Sequence, residues 1–191
     1  MDTTSFLIYC MIATFTPGPT NIVILSTVNH YGANQALKYS YGATVGFGLL
    51  LVISAVLNNL LLTILPKVLM IMQVIGSLYM LYLAYLICKK DSSNPSENQA
   101  ATFWSGFMMQ FLNPKLVLFT LTVIPTFVLP YYSGAPAIML SVIVITLIGF
   151  LAFITWVLFG TIFKEFLQKH NKIVSVMMAI LLVYAGIMIW V

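Results

Sequence analysis

Residues 5–25 read SFLIYCMIATFTPGPTNIVIL, and this stretch decides what kind of molecule the chain is. It carries no charged side chain. About twenty apolar residues in a helix cross the roughly 30 Å hydrocarbon core of a bilayer. A core helix of a soluble domain would keep a polar stripe, and this segment is apolar on every side except at its centre. That centre is TPGP, residues 16–19. Each proline lacks a backbone donor and crowds the preceding turn. Two prolines around a glycine should therefore break or kink the helix. Lipid offers no donor to the carbonyls so freed, and protein, water or ligand must meet them. A cleaved secretory signal would open with a basic region. Here only Asp2 precedes the run, so the segment is predicted to be the first permanent span.

The rest of the chain agrees. Across 191 residues only 6% are charged and the mean hydropathy is +1.05, where a soluble domain carries about 25% charged residues. Such a chain lacks the polar cover to stay in water. A membrane β-barrel would show ten-residue stretches of period two, which are absent. The predicted fold is an all-α integral membrane protein with six transmembrane helices, near 6–28, 40–62, 67–88, 103–129, 137–163 and 172–191. The intervening loops are HYGANQA, a tight turn at Pro66 and Lys67, the polar KKDSSNPSENQAA, PYYSGAP, and residues 164–172.

All basic side chains are lysines. Lys38, Lys89, Lys90, Lys164, Lys169 and Lys172 fall on odd-numbered loops, Lys67 alone on the other side, and Lys115 inside span four. Under the positive-inside rule the odd loops are cytoplasmic and both termini external. Lysines at helix ends orient a membrane protein, and a nucleic-acid partner is not expected. Tyr131, Tyr132 and Trp190 suit an outer aromatic belt.

The long third loop divides the chain into half-repeats 1–88 and 103–191, linked by 89–102. Sliding the first half by about 97 residues puts Phe6 on Phe103, Met11 on Met108, Thr16 on Asn113 and Pro17 on Pro114. A slightly larger slip puts Gly46 and Phe47 on Gly149 and Phe150, and Tyr82 on Tyr184. Because each half has three spans, the second copy lies upside down. Two inverted three-helix repeats in one transporter domain are a common plan of secondary transporters.

The polar residues within the spans are few. Thr16, Pro17, Gly18, Pro19 and Asn21 sit at the first break, and Asn113, Pro114 and Lys115 at the matching place in span four. The first break could be a packing kink, but the match between halves favours a site. Burying Lys115 costs very roughly 3 kcal/mol on insertion scales. It is either a snorkelling anchor or the partner of a substrate carboxylate, or a group that exchanges a proton. Helix ends with free N–H groups can hold the same carboxylate. Tyr79 and Tyr82 could offer hydroxyls to a ligand or simply pack. Asn58, Asn59, Gln73 and Gln110 read as helix-to-helix hydrogen-bonding groups as readily as path-lining ones. Gly42, Gly46, Gly48 and Gly76 suit close helix packing. The spans hold no Asp or Glu, which argues against an acidic proton relay. No nucleotide-binding loop, catalytic triad or metal cluster is present in the sequence, so neither cofactor nor metal is expected. Cys10 and Cys88 form no CxxC pair and fall on opposite sides of the membrane, against the reading of a thiol–disulfide electron carrier. A non-transporting partner subunit would have no use for two proline sites at the midplane.

FTPGPTN (15–21), GSLYMLYLAY (76–85) and FLNPKLVLF (111–119) resemble the LysE/RhtB family of amino-acid exporters, in the same order and over essentially the whole chain. TFVLP (126–130) and LLVYAGIMIW (181–190) are most similar to its cysteine and O-acetylserine efflux branch. The resemblance implies a bacterial inner-membrane exporter of amino acids or their derivatives, driven by the proton gradient, and not an enzyme. It carries the PGP element onto Pro17, Gly18 and Pro19, the following Asn onto Asn21, and NPK onto Asn113, Pro114 and Lys115. Many members carry an acid just after the glycine pair of span two. This chain has Leu49 after Gly46, Phe47 and Gly48, a departure that speaks against cationic substrates. The expected partners are a small-molecule amino acid, protons and membrane lipid, with a homo-oligomer allowed.

Overall fold

The computed structural model describes residues 2–56, 58–89, 102–132 and 134–188. Every regular element among them is helical: α1 (Thr3–Phe15), α2 (Pro19–Tyr31), α3 (Ala33–Val56), α4 (Asn58–Lys89), α5 (Phe103–Leu112), α6 (Pro114–Val123) with a π-helical turn (Ile124–Val128), α7 (Ala135–Ile162), α8 (Lys164–Lys169) and α9 (Asn171–Met188). Residues 90–101 and Trp190, and the side chains of Asn58, Asn59, Lys67, Gln73 and Lys89, lie outside the described part.

The prolines behave differently from one another. Around Pro17 and Pro19 the helix stops, and α1 and α2 meet at 47°. At Pro114 it stops for the single residue Asn113, and the two segments meet at 67°. Pro125 widens one turn into a π-helix. The turn expected at Pro66 and Lys67 is absent, because α4 runs through it as one helix of 32 residues. A lone proline deprives one carbonyl of its partner. Ending the helix there would orphan up to four groups at each new end, with no water to meet them. Where the second and third spans are expected, the helices run 33–56 and 58–89. The first loop also shrinks, to Gly32 alone, whose φ of +85° favours glycine. The fifth loop holds the short α8.

Among the described residues α3 and α7 are each long and apolar enough to cross a membrane, as are the bent pairs α1–α2 and α5–α6 if each is one span. The outward face of α7 carries Met139, Leu140, Ile143, Leu147, Leu151 and Leu158, all exposed. An apolar face this long is a lipid-facing surface.

At the centre α3 lies against α2, α5 and α7. A Cβ on Gly42 would overlap the Phe103 carbonyl, and one on Gly106 that of Tyr39. Small residues let the two backbones touch, the usual device for helices that gain nothing from expelling water. Phe47, Phe119 and Phe153 fill the space between α3, α6 and α7. A second cluster, with Ala84, Ala179 and Leu182, joins α4 to α9.

Candidate functional site

The first break frees carbonyls at the end of α1, and three side chains from different places meet them. Asn21, in the first turn of α2, donates from Nδ2 to the Thr14 carbonyl (3.1 Å) and the Thr16 carbonyl (2.9 Å). Trp156 of α7 donates from Nε1 to the Phe15 carbonyl at 3.1 Å. Lys115 reaches over from the second break. Its Nζ donates to the Thr16 carbonyl at 2.9 Å and to Thr16 Oγ1 at 2.7 Å. These are charge-assisted bonds. Lys115 is half-buried, held against the other half of the molecule and not extended along lipid.

Lys115 can lie there because Gly18 has no side chain. A Cβ on Gly18 would stand 3.1 Å from Lys115 Cδ and 3.3 Å from Nζ. The backbone of Gly18 is extended, with φ of −152°, so close approach and not backbone freedom calls for glycine here.

The second break contributes amides. Asn113 donates from Nδ2 to Thr20 Oγ1 at 2.9 Å, and Gln110 donates from Nε2 to the Gly106 carbonyl at 2.9 Å and toward Thr20 Oγ1 at 3.4 Å. Thr20, Asn21, Gln110 and Asn113 are all buried. The carboxamide oxygens of Asn21, Gln110 and Asn113 have no hydrogen-bond partner among the described residues. The orientations of Asn21 and Gln110 are forced, because each NH2 faces backbone carbonyls that can only accept. Buried acceptors left open in this way are uncommon. In the first turns, which open on Pro19 and Pro114, the amides of Thr20 and Asn21 in α2 and of Lys115 in α6 also have no acceptor within their own helices. The arrangement therefore brings an ammonium and the unpartnered carboxamides of Asn21 and Asn113 to one cavity, with Gln110 bonded beside them to Thr20. Groups of this kind suit a molecule carrying both a negative and a positive group.

The cavity between these groups is lined by Thr14, Gly18, Thr20, Asn21, Asn113 and Lys115, with Phe153 closing one side. Its volume of about 10 Å³ is room for a single water.

Of the residues expected from the sequence, Thr16, Gly18, Asn21, Asn113 and Lys115 are brought together at this crossing, with Pro17, Pro19 and Pro114 next to them in the chain. Tyr79 does not line the cavity. It pairs with Tyr82, ring centroids 6.3 Å apart. Its helix nonetheless touches the second break one turn away, where a Cβ on Gly76 would stand 3.2 Å from Pro114 Cδ. Thr14, Thr20 and Trp156 escaped the sequence reading. Thr20 lies inside the quoted motif, and Trp156 is a lone indole in an apolar span, so a search for buried donors would have found both. Among the described residues no group of three or more His, Cys, Asp or Glu could hold a metal ion.

A family model described as LysE type translocator matches residues 11–191. Relatives named cysteine/O-acetylserine efflux protein align over 187 residues, 97% of this chain. The one from Klebsiella pneumoniae is 33% identical, with 95% of its own length covered. Those from Salmonella typhimurium and Escherichia coli O157:H7 are 29% and 27% identical, with 96% of their length covered. No solved structure matches the chain. With the family model spanning all but the first ten residues, and relatives alike along almost their whole length, the chain belongs to the LysE type translocators.

Proposed function

We propose that the protein is a proton-coupled secondary exporter of neutral amino acids or their derivatives, of the cysteine and O-acetylserine kind, in the cytoplasmic membrane. The observation that carries this reading is the crossing of two broken helices, where Lys115 holds Thr16 beside three open amide oxygens. A zwitterion asks for both signs. Lys115 and the helix N-termini at Pro19 and Pro114 suit its carboxylate. Asn21, Gln110 and Asn113 suit its ammonium. Pro17 and Gly18 keep the backbone open beside them. The names of the relatives point to transport and not to catalysis. Cys10 is buried on α1 and Cys88 is exposed on α4, and both are free.

A cavity of about 10 Å³ cannot hold an amino acid, so the halves must part to admit one. Lys115 then lets go of Thr16 and takes the carboxylate, and Tyr79 comes within reach of the path. This is alternating access between half-repeats 1–88 and 103–191, joined by 89–102. We read six crossings, α1–α2, α3, α4, α5–α6, α7 and α9, with the second three inverted. Two features support it. Each half runs broken helix, long helix, last helix. The contacts also cross between halves, α3 on α5 and α6, α7 on α1 and α2, α4 on α9. The lysine bias sets the odd loops in the cytoplasm and both termini outside. Cysteine introduced at Ser92, with Cys10 and Cys88 replaced, should resist an impermeant maleimide in intact cells. Ready labelling would reverse the orientation.

Efflux from preloaded inverted and right-side-out vesicles, scanned over amino acids with and without a pH gradient, tests the function. Cysteine or O-acetylserine should leave faster than lysine or arginine, and only with the gradient. Lysine as the best substrate would overturn the substrate class, and indifference to the gradient the coupling.

A further inference from the structure

Where α9 packs along α4 the surface carries a groove of about 510 Å³. Ala84 and Ala179 line it and are buried, and their small side chains give it depth. Leu81, Tyr85 and Cys88 of α4 and Val176, Ile180 and Ile187 of α9 stand along its sides, all exposed. Among the described residues no charged or amide side chain lines it. On α9 the groove runs from Val176 to Ile187, eleven residues on, or roughly 16 Å at 1.5 Å per residue. That is about half of the roughly 30 Å hydrocarbon core, the depth of one leaflet.

The direction of the two helices decides what stands at its ends. Ser77 Oγ donates to the Gly186 carbonyl at 3.0 Å, while Ala84 and Ile87 share a buried cluster with Met178 and Ala179. The helices are therefore antiparallel, and Cys88 lies at the same end of the groove as Val176. Residues four apart share a helix face. On α9 the row of Ile180 and Val176 continues to Lys172, which is exposed. On α4 the row of Leu81 and Tyr85 continues to position 89, the lysine that ends the helix. Both rows thus end on a lysine position, at one end of the groove. An apolar slot one leaflet deep, cationic at one end, is complementary to an amphiphile with an anionic head. A second copy lying the same way up in the bilayer would bring its own lysines to these, like charge to like.

We infer that this groove is a binding site for an anionic diacyl phospholipid, with an acyl chain lying between α4 and α9 and the phosphate at the Lys172 end. In the orientation proposed above that end is cytoplasmic, the side on which anionic lipid gathers. The inference concerns the α4–α9 face alone, and stands or falls apart from the substrate and from the crossing of the broken helices.

The test uses the full-length protein purified in a mild detergent and mixed with equal amounts of palmitoyl-oleoyl phosphatidylglycerol and chain-deuterated palmitoyl-oleoyl phosphatidylcholine. The two lipids differ in head and separate by mass, and native mass spectrometry counts each on the intact protein. A lysine beside an anionic lipid favours it about fivefold, so phosphatidylglycerol should outnumber phosphatidylcholine by about tenfold or more. Lys172→Gln should cut that ratio about fivefold, and Lys89→Gln with Lys172→Gln should remove it. Lys38→Gln with Lys164→Gln, on other helices, should leave it unchanged. Ile180→Trp fills the groove from an exposed position and should remove the phosphatidylglycerol adduct. Val176→Trp, on the same row, supplies the same test where the first variant does not fold. Equal binding of the two lipids, a ratio untouched by the double lysine variant, or adducts undiminished in a folded tryptophan variant would overturn the site. Lipid-free dimers that Ile180→Trp abolishes would overturn it too, and would give the groove to a second copy.

Discussion

The two breaks meet through Lys115 and Thr20 and are opposite in chemistry. The first spans Thr16–Gly18 and presents carbonyls. The second is the single residue Asn113 and presents donors, Asn113, Lys115 and nearby Gln110. Where the first has two prolines and an extended glycine, the second has one proline and turns more sharply, 67° against 47°. The two are complementary, so that the donors of one satisfy part of the other, and buried carboxamide oxygens are left over.

The largest effect should follow from cutting the link between them. K115M should abolish efflux per unit of inserted protein, because methionine keeps most of the stem and loses the charge. K115R keeps the charge but will hardly release a proton. Substrate binding retained with gradient-driven export lost would assign Lys115 to proton exchange, and retention of both would make it a fixed counter-charge. Wild-type efflux from K115M would show that the breaks work independently and would end the comparison.

The next pair sharpens it. N21L takes the side-chain donor from the Thr14 carbonyl and leaves the Thr16 carbonyl to Lys115 alone, and should destabilise the protein by about 2–3 kcal/mol. N113L deprives only the Thr20 hydroxyl oxygen of a donor, and Gln110 Nε2 still reaches it, so the cost should be about 0.6–1 kcal/mol. Thermal inactivation in detergent measures both, and equal losses would deny that the two breaks are satisfied differently. A comparable effect is expected of W156F, which removes one donor from the Phe15 carbonyl and should cost about 1 kcal/mol. The smallest belongs to G18A. Its methyl meets the flexible end of Lys115, which can give way by a few tenths of an ångström, so folding should hold and efflux fall only several-fold. An unchanged rate would mean that Lys115 does not need to lie over Gly18 during transport.

Much of this was open to inspection in the linear chain. TPGP and NPK mark their breaks because no helix of ordinary geometry passes two prolines around a glycine, and because an intramembrane lysine has few places to go. Gly42 and Gly46 were legible as packing positions, and Gly106 was not, since a single glycine among aromatics has no pattern to betray it. Pro66 misled, because proline signals a possible end and only the balance of orphaned groups on each side decides whether the helix takes it. Asn171 falls in the expected fifth loop, and only the meeting of α2 with α9 brings it within 2.7 Å of Asn29.

The amino-acid sequence by itself determined that the chain is helical and belongs in lipid, and where its two helices break. These follow from local chemistry: too few charges to face water, and prolines that cannot donate. Only the tertiary structure decided that the breaks cross, that Lys115 finds Thr16, and that three amide oxygens are left open inside. Those facts depend on how α3, α5 and α7 stack, and that stacking is set by contacts between residues far apart in the chain, which no local rule of spacing contains.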